Sequence, residues 1–117
     1  MSVEKKNLSS PDKVHDLAGG KGCMRSLHVG GATIGHTVVE PGFRWTEAMR
    51  LEAGTELCAK AHTGFVVSGS LGVKLEGGEE ATFTAGDAFF LPPNHDSWTV
   101  GDQPCVMVEF HGAAKPQ

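Results

Sequence analysis

Glycine and proline interrupt this chain so regularly that a helical bundle is excluded. Turn signals fall at Gly19-Gly20, Gly30-Gly31, Pro41-Gly42, Ala53-Gly54, Ser68-Gly69-Ser70, Gly77-Gly78, Ala85-Gly86-Asp87, Pro92-Pro93-Asn94 and Gly101 to Pro104. Each glycine inside a helix costs about 1 kcal/mol relative to alanine. Between the signals lie short runs rich in Val and Phe, among them Phe65-Val66-Val67, Ala88–Leu91 and Val106–Phe110. Short β-prone runs separated by turn residues predict an all-β sandwich or barrel of about ten strands and no helix. The 16 glycines show no three-residue period, which excludes collagen. With 117 residues the chain forms one domain.

Alternation fixes the strands more closely. Leu71, Val73 and Leu75 alternate with Gly72, Lys74 and Glu76, the period of a half-buried strand. Val106, Val108 and Phe110 alternate in the same way with Met107, Glu109 and His111. Leu75–Phe83 reads as a hairpin around Gly77-Gly78. Residues 1–11 are polar and read as a flexible arm, or as a strand that exchanges onto a partner. Residues 113–117 read as a flexible tail.

Charge and cysteine content exclude several classes. Ten Lys and Arg against 14 Asp and Glu give a net charge of −4, with no basic stripe for a phosphate backbone, so no nucleic acid is expected. No apolar run approaches the ~20 residues of a membrane helix. The opening MSVEKKNLSSPDKV lacks the apolar stretch of a signal peptide. Cys23, Cys58 and Cys105 are an odd, sparse set and read as free thiols, so the expected location is cytoplasmic. Gly19-Gly20-Lys21-Gly22 does not match a phosphate-binding loop, and no GxSxG nucleophile elbow occurs.

Two stretches carry a resemblance. Phe65-Val66-Val67-Ser68-Gly69 precedes the hairpin, and Ala85-Gly86-Asp87-Ala88-Phe89-Phe90-Leu91-Pro92-Pro93-Asn94 follows it. Together they resemble the cupin superfamily, small jelly-roll barrels also described as double-stranded β-helices. Gly86, five residues and Pro92 fit the second cupin motif, with Asn94 where a glycine usually stands. Gly69 fits the closing glycine of the first motif. The resemblance spans about residues 36–110 and implies one cupin barrel over residues 12–112.

The resemblance also places the family's metal ligands, three histidines and a glutamate. Counting back from Gly69, His62 stands at the glutamate, and Glu56 and Cys58 stand at the histidine pair. Ser97 stands at the last histidine, with His95 two residues earlier. A register shifted by two would put Lys60 and His62 on the pair; the first register keeps Val-Val-Ser-Gly intact. On an extended strand, positions 56, 58 and 62 share one face. Glu56, Cys58, His62 and His95 offer oxygen, sulfur and imidazole donors, a set that suits Zn²⁺, or Fe and Ni. Cys58 has two other readings, a small core residue and a reactive thiol with Lys60 as the nearby cation.

Trp45 and Trp98, the largest side chains, are candidate pocket walls, and Glu47 shares their ligand-binding assignment. Arg44 and Arg50 are candidate partners for a carboxylate. Cys23 and Cys105 read as core, and His15, His28, His36 and His111 carry no assigned role. The chain has no tyrosine, which disfavours the sugar-epimerase branch that the resemblance would otherwise include. Two functions fit. One is a metal-dependent enzyme acting on a small polar acid; the other is a ligand-binding or sensing module without metal. The resemblance and the exposed sheet edges of so small a domain imply a homodimer.

Overall fold

The structure is a computed structural model and describes residues 2–111; the expected tail at 113–117 lies outside the described residues. Nine strands follow in order: β1 (Lys13–Asp16), β2 (Gly22–Val29), β3 (Ala32–Val39), β4 (His62–Ser68), β5 (Ser70–Leu75), β6 (Glu80–Thr84), β7 (Ala88–Leu91), β8 (His95–Val100) and β9 (Cys105–His111). One sheet has six strands in the order β1-β2-β3-β9-β4-β7, and the other has three in the order β6-β5-β8. Every pairing is antiparallel. The last strand, β9, inserts between β3 and β4, which gives the jelly-roll path. The fold is therefore the expected all-β jelly roll. Among the described residues no strand joins the two sheets, so the molecule is an open sandwich and not a closed barrel.

The core lies between the sheets. Val39, Val66, Cys105 and Met107 face it from the large sheet, Leu71 and Val73 from the small one. β5 and β6 form the expected hairpin, closed by Gly78 N–H donating to the Leu75 carbonyl at 2.9 Å. β9 reverses the simplest reading of its alternation. Cys105, Met107 and Glu109 point inward, while Phe110 is 44 % exposed on the outer face.

Two short helices correct the strand-only expectation: α1 (Trp45–Ala48) and α2 (Arg50–Ala53), with a 3-10 turn at Ala18–Gly20. Residues 47–53 read Glu-Ala-Met-Arg-Leu-Glu-Ala, all strong helix formers without a β-branched residue. Gly54 ends α2 in the left-handed conformation, its N–H donating to the Arg50 carbonyl at 2.9 Å. These helices lie between β3 and β4 and roof one end of the sandwich. Residues 2–11 form no strand; Glu4 accepts the Gly30 N–H at 3.1 Å and Lys6 pairs with Asp12 at 2.9 Å.

The roof is pinned by Asp96, a buried carboxylate on β8. It accepts hydrogen bonds from Arg44 Nε at 2.9 Å, from Thr46 N–H at 3.0 Å and from the Thr46 hydroxyl at 3.2 Å. One oxygen thus satisfies a free N–H in the first turn of α1.

Candidate metal centre

The centre is built from three separate pieces of chain. Cys58 sits in the segment between α2 and β4 and forms a two-residue bridge with His95 at the start of β8. Cys58 N–H donates to the His95 carbonyl at 2.9 Å, and Asn94 N–H donates to the Cys58 carbonyl at 2.7 Å. Asn94 makes this possible by adopting φ +71°. Asn is among the few non-glycine residues that visit this region routinely, which explains its place where the cupin motif carries glycine.

His62 opens β4 on the inward face. Its Nδ1–H donates to Glu109 Oε1 at 2.5 Å, and its Nε2 lies 3.4 Å from Cys58 Sγ. Gly64 lets β4 approach β9 this closely: a Cβ there would collide with the Val108 carbonyl oxygen and Glu109 Cα. His95 is oriented in the same way, its Nδ1–H donating to the Pro92 carbonyl at 2.7 Å. Both rings therefore spend Nδ1 on an oxygen. Donor atoms of Cys58, His62 and His95 all lie within 4.8 Å of one another. The two rings meet edge to face with centroids 5.2 Å apart.

This donor set fits a metal ion. Ligands held at ~2.0–2.3 Å in tetrahedral geometry lie roughly 3.5 Å from each other, and Sγ to Nε2 is 3.4 Å. Metal-binding histidines almost always donate their second nitrogen to a carboxylate or carbonyl, which fixes the tautomer and strengthens the ligand. Glu109 and Pro92 do this here. Thiolate with two imidazoles suits Zn²⁺, with Fe and Ni as alternatives.

The charges are arranged to match. Burial opposes the Cys58 thiolate, but hydrogen bonds with His62 and His95 outweigh it and bring the pKa down to about 6. Burial also opposes the His62 cation, and its bonds to Cys58 and Glu109 raise it to about 9. Glu109 is held below the usual carboxylate range: burial works against it, and the hydrogen bond and charge of His62 prevail. At neutral pH the metal-free centre is thus a thiolate–imidazolium pair backed by a carboxylate. Cys105, by contrast, has its thiol pushed up to about 11 by burial alone and is core, as expected.

The other expected residues fall elsewhere. Residues 54–61 are not a strand, so the shared face inferred for positions 56, 58 and 62 does not exist. Glu56 is exposed and lies 3.4 Å from Arg50. Trp45 lines the cavity above the centre, but Glu47 is exposed on α1 and does not. Trp98 packs on Gly72, with Arg44 stacked on its ring at 4.7 Å, away from the cavity. Ser97 does line it. Glu109 went unassigned in the sequence; its signal was a lone carboxylate within an apolar strand. His111, 3.6 Å from Glu109, extends the network outward.

A jelly roll with histidine side chains gathered between its sheets is the arrangement expected of a cupin. A family model described as the EutQ-like cupin domain matches residues 43–106, and the chain belongs to that family. Among the solved structures, a DUF1255 protein of unknown function from Acinetobacter sp. ADP1 is 20 % identical, with TM-score 0.62 over 86 % of this chain and 89 % of its own. The polyketide cyclase RemF from Streptomyces resistomycificus is 18 % identical, with TM-score 0.65 over 99 % and 83 %. The Fe(II) form of HppE is 12 % identical, with TM-score 0.66 over 93 % and 60 %. At these identities the likeness is one of fold. Among the curated proteins no sequence matches.

Proposed function

We propose that this cupin holds a divalent metal ion on Cys58, His62 and His95 and uses it to act on a small molecule in the cavity above. The observation that carries this reading is the pair of histidines, each with Nδ1 committed to an oxygen and each with a donor atom within 4.8 Å of one sulfur. Three protein ligands with an open side toward a cavity form the catalytic kind of site. A metal there supplies Lewis acidity or activates a bound water or substrate oxygen. Glu109 orients His62, Pro92 orients His95, and the apolar walls exclude bulk water. The Fe(II) form of HppE on a similar fold supports the reading.

The test is elemental analysis of the protein purified without added metal, beside Cys58→Ala and His62→Ala. Stoichiometric metal lost in both variants supports the centre. A protein without bound metal, whose thermal midpoint ignores added Zn²⁺, Fe²⁺ and Ni²⁺, refutes it.

A second reading has one observation in its favour: Cys58, His62 and Glu109 stand in line, at 3.4 and 2.5 Å, as a nucleophile, its base and the base's orienter. It predicts turnover in metal-free protein, which chelator treatment checks. For the assembly, exposed Phe65, Phe90 and Phe110 on the outer face of the large sheet support the homodimer through that face. Light scattering at about twice 12.3 kDa, falling to the monomer in Phe110→Asp, is the expected result.

A further inference from the structure

The cavity above the centre has a volume of about 490 Å³, within the range of pockets that take a drug-sized ligand. Its walls are apolar: Val39, Phe43, Leu71, Phe89, Leu91 and Met107 all line it, and all are 2–6 % exposed. Trp45, Met24 and Met49 add an aromatic face and two adaptable side chains.

Away from the centre, Thr37 and Ser97 are the buried polar residues of the lining among the described residues. Glu109 is committed to His62 and to the Thr37 hydroxyl. Lys60 lines the cavity and is exposed, and Glu52 is exposed and paired with His15 at 3.1 Å. The two arginines that the sequence offered to a carboxylate are engaged elsewhere, Arg44 with Asp96 and Arg50 with Glu56. One carboxylate could meet the metal or Lys60, but the second carboxylate of a small diacid would lie against the apolar walls without a partner, which is strongly unfavourable. One wall group is free for a neutral polar atom: among the described residues, no hydrogen bond engages the Ser97 hydroxyl.

We propose that the ligand of this cupin is a largely apolar, ring-containing molecule that turns one polar group toward Cys58, His62, Ser97 and His95. This replaces the small polar acid expected from the sequence, and for its polar end it rests on the metal-centre reading. The apolar body fills the space between Phe43, Trp45 and Leu71, where it displaces water that those walls cannot bond. The polar group meets the centre, and the Ser97 hydroxyl selects for it.

Calorimetric titration of the full chain, Zn²⁺-loaded and metal-free, with 2-naphthol and with malonate tests this. The expected result is 2-naphthol binding at least tenfold tighter than malonate, with a negative heat-capacity change from apolar burial. Ala53→Trp, from an exposed position on α2 that borders the cavity, is expected to weaken 2-naphthol at least tenfold and leave bound Zn²⁺ unchanged. Met49→Trp blocks the same space from the neighbouring turn if the first variant does not fold. Malonate binding as tightly as 2-naphthol overturns the inference. So does 2-naphthol binding that ignores both folded variants. Zn²⁺ held stoichiometrically with no 2-naphthol bound refutes the ligand class and leaves the metal centre standing. Variant-sensitive 2-naphthol binding without any Zn²⁺ refutes the metal centre and upholds the apolar ligand.

Discussion

Replacing His62 with asparagine should move the titration of Cys58 by about three pH units. In the metal-free protein the thiolate is held by His62 Nε2 at 3.4 Å, and its pKa is about 6. His62 is its main hydrogen-bond partner and the one that carries positive charge up to about pH 9. Without it, burial remains and opposes the thiolate, so the pKa should return to about 9.0, its value without these partners. Three units at 1.36 kcal/mol each is about 4 kcal/mol of lost thiolate stabilisation. The assay is thiolate absorbance at 240 nm against pH, in a Cys23→Ser background, with Cys105 silent because its thiol titrates at about 11. The alkylation rate at one pH is the wrong readout. A low-pKa thiolate is more abundant but intrinsically less nucleophilic, with a Brønsted slope of ~0.4–0.5, so the two effects largely offset. A midpoint near 8.5 in the parent protein, or one near 6 that survives His62→Asn, would refute the ion-pair argument.

Thermal stability of the metal-free protein should be nearly flat from about pH 6.5 to 9. Cys58 is depressed, so its contribution is present above its unfolded value near 9.0 and is lost as pH falls through about 6. His62 is raised, so its contribution is full below 6.5 and is lost as pH rises through about 9. Between those limits each state binds one proton across the pair, and the slopes cancel; a steep slope in calorimetric midpoints would contradict this. Asp96→Ala removes the acceptor of three hydrogen bonds to Arg44 and Thr46 and should cost about 2–4 kcal/mol by urea unfolding. Glu56→Ala should leave Zn²⁺ affinity within about twofold in chelator competition, because Glu56 is exposed on Arg50.

The fold was legible because turn chemistry and alternation are local. Gly77-Gly78 marks a corner with open space around it, and Gly69, with φ +77°, marks another whose left-handed turn is legible locally even though it also packs against Pro104 and Cys105. Leu71 and Val73 alternate into the core as written. The short helices are not legible in the sequence because four-residue helices leave no periodic signature. The face of β9 was ambiguous for a different reason. Both of its faces are largely apolar, so period two alone does not say which is inside. Glu109 is inward because the His62 it meets lies on β4, a pairing of residues 47 positions apart.

The family's ligand positions explain the rest of the site. His95 and Ser97 lie on the same inward face of β8, two residues apart, and both line the cavity. A histidine moved by two along a strand keeps its face, so His95 points where the family's last histidine would, with Ser97 left as a free hydroxyl beside it. Counting along the motif put His95 two residues before that position and named Cys58 as a donor. The count could not show how Cys58 is held, by a bridge to His95 and by Asn94 in a left-handed turn. Nor could it predict that a carboxylate would leave the ligand set at position 56 and return from β9 behind His62. In the proposed centre the donor chemistry would be kept and its roles redistributed. Glu109 would orient His62, and sulfur would take a ligand's place. A thiolate donates more charge to a metal than an imidazole does, so this centre should prefer softer ions than an all-histidine site. If the preference for Zn²⁺ over Mn²⁺ in equilibrium competition is no stronger than in Cys58→His, the sulfur is not a ligand.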